Sequence, residues 1–258
     1  MDTETIAEIR LWALQGGILL FCAFIQSTVG FAFTLFSNSL LLLLAGMPLP
    51  ETVMLSTLGS ILQRLVMTAR MHRHVNWRET LPISGICLLT LPLGIVILKL
   101  FSRQSIGFAK VFLGVFILIV LALQIFWKIK PREKIHRGWG ILAASVSGLL
   151  TGLANIGGPP LLLWVHAHDW PNGKTRMTII AITTILMPAQ MVLMLAAFGP
   201  SVFPAPLQAL ALAPFVLAGS AVGMAAGHRL SSRRLRVLAL SLLALTSLVS
   251  ILGPLLGR

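Results

Sequence analysis

Residues 148–160 read Gly-Leu-Leu-Thr-Gly-Leu-Ala-Asn-Ile-Gly-Gly-Pro-Pro and interrupt an apolar stretch that runs from 138 to 168. At about 1.5 Å per helical residue, this stretch is too long for one simple membrane crossing. Glycine frees the backbone and proline removes a hydrogen-bond donor, so we expect a helix to break within Asn155–Pro160. The chain should enter a membrane here and fold back on itself.

A second interrupted stretch lies earlier in the chain, from 11 to 46, and contains Gln26-Ser27-Thr28-Val29-Gly30. The two halves of the sequence align with a shift of about 127 residues. In this register Thr28–Gly30 lies over Asn155–Gly157, and further matches pair Ser56-Thr57 with Thr183-Thr184, Gln63 with Gln190 and, at a shift of 129, Gly94 with Gly223. The common register indicates an internal repeat.

Composition places the whole chain in a membrane. Of its 258 residues, 57% are apolar and only 10% are charged, with a mean hydropathy of +0.92, whereas a soluble domain carries about 25% charged residues. The alternating pattern of an outer-membrane barrel is absent. We therefore predict an all-α integral membrane protein with two inverted repeats, 1–134 and 135–258. Each repeat is a broken or re-entrant helical hairpin plus three transmembrane helices: hairpin 11–46 with spans 50–70, 80–101 and 105–127, then hairpin 138–168 with spans 176–198, 206–228 and 233–256.

Basic residues set the predicted orientation. If both hairpins fold back, the loops at 64–78, 128–137, 168–176 and 228–236 share one side and hold 15 of the 20 Lys and Arg residues. The positive-inside rule makes that side cytoplasmic. Three crossings per half then invert the second half relative to the first. We predict a multi-pass protein of the inner or plasma membrane with both termini outside the cytoplasm. The net charge of +13 needs no nucleic-acid partner, and the sequence leaves a homo-oligomer open.

The interruptions are also the candidate binding site. A helix that restarts at Gly158 exposes free N–H groups and the positive end of its dipole, which together bind anions. The predicted substrate-binding residues are Gln26, Ser27, Thr28, Gly30, Asn38, Gln63, Arg64, Asn155, Gly157, Gly158, Pro159 and Gln190. Other interpretations stay open: the breaks could be packing kinks, the two glutamines could link helices, and Arg64 could reach the lipid headgroups.

Acidic residues are few, and all seven lie at termini or near loops: Asp2, Glu4, Glu8, Glu51, Glu79, Glu133 and Asp169. A proton or cation pathway usually needs a carboxylate within a span. An anion leaving a negative cytoplasm gains about 2.3 kcal/mol per charge per 100 mV without any coupled ion. We predict no cofactor, no metal and no catalytic site.

The paired interruptions, above all residues 148–160, resemble the sulfite exporter TauE/SafE family over nearly the whole chain. The resemblance implies a transporter of sulfite, sulfonates or related anions, working in export and in some members in uptake. It also implies a substrate path lined by Asn155, Gly157, Gly158 and Pro159, and by Thr28 and Gly30 in the first half. The first motif departs from the family, which has more glycines where Phe31-Ala32-Phe33 follows here. An ion-coupled uptake permease and a non-transporting scaffold are the alternatives.

Overall fold

The computed structural model describes residues 3–29, 33–71, 75–126, 136–227 and 232–255. These residues form α-helices and one short 3-10 helix, Gly199–Val202, and contain no strand. The α-helices are α1 (Thr3–Val29), α2 (Phe33–Leu44), α3 (Leu49–Met71), α4 (Trp77–Phe101), α5 (Ile106–Phe126), α6 (Arg137–Ala154), α7 (Gly158–His166), α8 (Asn172–Phe198), α9 (Pro204–Ala211), α10 (Ala213–Gly227) and α11 (Ser232–Leu255). The predicted all-α class is confirmed.

Several of these helices are suited to crossing a membrane. In the described part of the chain, five are long and apolar enough: Thr5–Thr28, Trp77–Phe101, Ile106–Leu123, Met177–Val202 and Val237–Pro254. The pair α9 and α10 passes the same test when taken together. Helix α3 covers the predicted span 50–70 but is not among the five.

The second predicted interruption is present, and the first falls on residues 30–32, which lie outside the described residues. Helix α1 ends at Val29 and α2 begins at Phe33, while α6 ends at Ala154 and α7 begins at Gly158. The arms of each hairpin are unequal, with 27 and 12 residues in the first and 18 and 9 in the second. Each hairpin therefore consists of a long helix followed by a short one.

The expected span 206–228 is divided in a way that the sequence analysis did not predict. Helices α9 and α10 meet at Leu212 with a bend of 49°. Pro214, at the second position of α10, has no N–H to offer the preceding turn, which accounts for the break. Gln208 of α9 donates its amide to Gln15 Oε1 of α1 at 2.5 Å, and Gln15 is almost fully buried. An amide pair thus attaches the short helix to α1.

Packing divides the chain into two compact units that do not follow chain order. The first contains Met1–Gln63, Gln104–Leu121 and Pro204–Arg258, and within it α1 packs on α2, α10 and α11. The second contains Arg64–Arg103 and Ala122–Phe203, and within it α4 packs on α6 and α8. Each unit combines helices from both halves of the sequence, so a packing unit is a different entity from the repeat. The repeat boundary between 134 and 135 stays a prediction.

Glycines allow these helices to approach closely. In the second unit, Gly148 and Gly152 of α6 lie directly against the backbone carbonyls of Cys87 and Leu91 of α4, where an added Cβ would overlap. Small residues at helix interfaces are the usual means of tight packing in lipid, where no hydrophobic effect holds helices together. The long arm of the second hairpin is therefore fixed against α4 by backbone contact.

Candidate functional site

The second interruption begins with a residue in the left-handed conformation. Asn155 has φ 54° and ψ 35°, and its N–H donates to the Thr151 carbonyl at 2.7 Å. Asparagine tolerates this conformation better than most residues and here takes the place that glycine usually has at a helix end. The conformation stops α6 and redirects the chain.

Gly157 is held by the end of α6. The Ser147 hydroxyl donates to the Gly157 carbonyl at 2.6 Å, and the Thr151 hydroxyl donates to the Ser147 carbonyl at 2.7 Å. A Cβ on Gly157 would overlap with Thr151 Oγ1 and lie 2.5 Å from the Ser147 carbonyl oxygen. Because glycine has no side chain, the space beside Gly157 is filled by hydroxyl groups of the protein itself, those of Thr151 and Ser147. The sequence analysis missed Ser147, since nothing in a spacing of ten residues pairs a serine with a glycine.

Gly158 is in a different environment from its neighbour. It opens α7, and a Cβ built there meets no atom within 4 Å. The next two residues, Pro159 and Pro160, have no N–H, so Gly158 supplies the only backbone donor among the first three residues of α7. This donor lies at the positive end of the helix dipole. The sequence analysis proposed a small-anion site at this helix start, and that site stays a prediction.

Gln190 of α8 supports the same turn. Its Nε2 donates to the Thr151 carbonyl at 2.7 Å, and the side chain is fully buried. In the described part of the chain its Oε1 has no hydrogen-bond partner. Gln190 therefore connects α8 to the final turn of α6. The Thr151 carbonyl that accepts its amide also accepts the N–H of Asn155.

The first interruption, in the other unit, is held by similar contacts. Gln63 Nε2 donates to the Ala23 carbonyl and to Ser27 Oγ, both at 3.0 Å. Gln26 Oε1 accepts the N–H of Phe33 at 2.9 Å and so caps the start of α2. Gly30, together with residues 31 and 32, lies outside the described residues.

The remaining predicted residues lie in separate places. Thr28 donates to the carbonyls of its own helix, at Phe24 and Ile25. Asn38 is fully buried, and its Oδ1 accepts the Ser56 hydroxyl at 2.7 Å. Arg64 donates to Thr183 Oγ1 in the second unit. The structure therefore brings Ser27 together with Gln63, and Asn155 together with Gln190 through the Thr151 carbonyl.

A resident metal finds no ligand set in the ranges that the structure describes. No three His, Cys, Asp or Glu side chains there lie close enough together to hold an ion. The site consists of hydroxyl, amide and backbone groups.

The geometry can now be compared with known proteins. The sequence model described as sulfite exporter TauE/SafE matches residues 16–250. The chain belongs to this family. Searches of curated proteins and of solved structures gave no match. Membership of TauE/SafE confirms the resemblance seen in residues 148–160 and makes the chain a multi-pass membrane transporter, since the family consists of transporters and not of enzymes.

Proposed function

We propose that this TauE/SafE protein exports small sulfur-containing anions, sulfite or an organosulfonate, across the inner or plasma membrane. The observation that carries the proposal is the open space at Gly158, at the start of α7, in a chain whose family match runs from 16 to 250. An anion in that space would meet a backbone N–H and the positive end of a helix, without a competing carboxylate.

In this proposal the predicted residues divide into two roles. Gly158 contacts the anion, with Asn155, Gly157 and Pro159 shaping the turn around it. Gln63 and Gln190 hold the helix ends at the two breaks, because each donates to the last turns of a hairpin's long helix. Gln26, Ser27, Thr28, Gly30 and Asn38 form the corresponding part of the first hairpin and remain proposed substrate-path residues. Arg64 is taken up separately below.

An inverted repeat is part of the proposal, and two matched pairs support it. Gln63 and Gln190 occupy equivalent positions, and each bonds to the long arm of the hairpin in its own half. Gly94 and Gly223 are also equivalent: Gly94 lies against Leu149 of α6, and Gly223 lies against Phe24 of α1. Repeats of this kind let two hairpins alternate between the faces of a membrane.

The direction of transport follows from charge. None of the seven acidic residues lies in the middle of an expected span, so no carboxylate is available there to carry a proton with the substrate. A negative cytoplasm itself drives an anion outward, by about 2.3 kcal/mol per charge per 100 mV. Export by facilitated diffusion needs no coupled ion and therefore no residue to bind one.

Flux into proteoliposomes tests the function. Purified protein is reconstituted, sulfite or methanesulfonate is added outside, and a potassium gradient with valinomycin makes the lumen positive. We expect anion uptake that follows the imposed potential and is absent from protein-free liposomes. Flux that requires a proton or sodium gradient would support the uptake permease instead. A complete absence of flux for both anions would support a non-transporting protein.

A further inference from the structure

Arg64 of α3 is a cation within a segment that the sequence places in the membrane. Its side chain is partly buried, and one of its Nη groups donates a hydrogen bond to Thr183 Oγ1 of α8. Both residues belong to the second compact unit. An arginine that only extended to the headgroups would not donate to a neighbouring helix in this way.

Thr183 is arranged to accept this bond. Its hydroxyl donates to the Ile179 carbonyl of its own helix at 2.7 Å, with the Ile180 carbonyl at 3.1 Å. The hydroxyl proton is therefore used within α8, and a lone pair of the oxygen remains for Arg64. Thr183 itself is buried, so α8 fixes one end of the guanidinium.

The charge on Arg64 has no acidic partner among the residues that the structure describes. The acidic residues whose side chains the structure describes, Glu8, Glu51, Glu79 and Asp169, make no ion pair with it. A guanidinium has five N–H donors, and Thr183 accepts from one of its groups. Buried arginines that serve structure alone are normally paired with a carboxylate. An unneutralised cation in a span is expected to serve a substrate or ion pathway.

The two halves of the sequence differ at this point. Ser56, the residue equivalent to Thr183, donates its hydroxyl to Asn38 and has an amide as its partner. A shift of 127 places Met191 at the position equivalent to Arg64. The positive charge is therefore present in one half only, which provides one cation for one anion.

We infer that Arg64, oriented by Thr183, is a second anion-binding group that pairs with the charge of the transported solute. The planar guanidinium offers two parallel N–H donors, which fit two oxygens on one central atom. The group therefore selects small oxyanions, such as sulfite and sulfonates, over halides. This inference rests on the proposed function.

Three variants and two controls test the inference in the flux assay described above. Arg64→Gln removes the charge, Arg64→Lys keeps the charge without the paired donors, and Thr183→Val removes the acceptor. Arg103→Gln, at an exposed position of the same unit, and Thr184→Val, next to Thr183, are the matched controls.

Loss of one charge-assisted hydrogen bond corresponds to about a 10- to 100-fold change in affinity. We expect Arg64→Gln to raise the half-saturating sulfite concentration by that factor, the other two test variants to raise it by less, and the controls to leave it unchanged.

A lipid phosphate has the same chemistry as the proposed solute, so sulfite binding is also measured in maltoside detergent without phospholipid. Weaker binding by Arg64→Gln under these conditions supports a solute site. Equal binding by the variant and the wild-type protein overturns the inference, and a dependence of stability on added lipid would then identify a lipid contact. If Arg64→Gln does not insert, the comparison of Thr183→Val with Thr184→Val decides. If the wild-type protein transports and every variant keeps its half-saturating sulfite concentration, the role of Arg64 is refuted and the proposed function is not. If the wild-type protein shows no flux, the proposed function itself is refuted.

Discussion

The Nε2 of Gln190 lies 2.7 Å from the carbonyl oxygen of Thr151, so α8 is bonded to α6 one turn before that helix stops. The same carbonyl accepts the N–H of Asn155, the residue in the left-handed conformation. A buried amide from a neighbouring helix therefore adds a second donor to the carbonyl that accepts the last helical hydrogen bond of α6. The break is held by contacts between helices as well as by its own glycines.

Removal of this amide should loosen the break. Gln190→Ala is expected to lower the free energy of unfolding by about 1 kcal/mol, because the Thr151 carbonyl loses a buried donor and interhelical bonds in lipid are of modest strength. Thermal denaturation in detergent measures the change. The control is Gln104→Ala, at an exposed position, which should denature like the wild-type protein. Equal stability of both variants would show that Gln190 does not support the turn.

The two adjacent glycines should respond differently to substitution. Gly158→Leu enters open space and is expected to reduce flux by about 100-fold or more by filling the proposed site, while the amount of folded protein stays near wild type. Gly157→Ala places a Cβ against Thr151 Oγ1 and Ser147 and should impair folding. Size-exclusion chromatography and flux on the same preparations separate the two effects. Full transport by Gly158→Leu would argue against a site at the start of α7.

Close packing of α6 on α4 gives a third prediction. Gly152→Ala forces a Cβ into the backbone of Leu91 and is expected to cost about 1–3 kcal/mol or more of stability. Gly85→Ala, on an exposed part of α4 with no atom within 4 Å of the added Cβ, should leave stability unchanged or raise it by up to about 1 kcal/mol. Thermal denaturation of the pair makes the comparison. A tolerant Gly152 would mean that the two helices lie farther apart than described.

Local features of the structure could be predicted from the sequence, whereas contacts between distant residues mostly could not. Helix positions followed from apolar length, and the break between α6 and α7 followed from glycine and proline at Gly157–Pro160. The break expected at Gly30 lies outside the described residues. Pro214 carried the signal for the bend between α9 and α10, but the surrounding apolar run favoured a single span. These features depend on residues that are neighbours in the sequence and can therefore be predicted from it.

Contacts between distant residues were harder to obtain. Arg64 and Thr183 are separated by 119 residues, and no pattern in either helix indicates that one side chain reaches the other. Ser147 was missed for the same reason, since its partner is a backbone carbonyl rather than a recognisable motif. The repeat alignment did single out Gln63 and Gln190, although it left open whether they bind solute or link helices.

Orientation in the membrane is a prediction from charge that labelling can check. Arg132→Cys, outside the described residues, and Arg233→Cys, at the start of α11, place thiols in the predicted basic loops 128–137 and 228–236. Both should react with a membrane-impermeant maleimide only from the cytoplasmic side. The native Cys22 and Cys87 are fully buried and should give little background. Thiols that react from opposite faces would refute the fold-back of the two hairpins and the inverted repeat with it.

The first packing unit joins Met1–Gln63 to Pro204–Arg258, two segments that are far apart in sequence and are therefore made at different times. Helix α1 must therefore stay in the bilayer without α10 and α11 while the ribosome produces the intervening residues. We expect a chaperone or the insertion machinery to shield, during that interval, the face of α1 that later contacts glycines of α10. Helix α1 gains α2 as the next helix of the chain, but α10 and α11 only after α3 to α9 have been made.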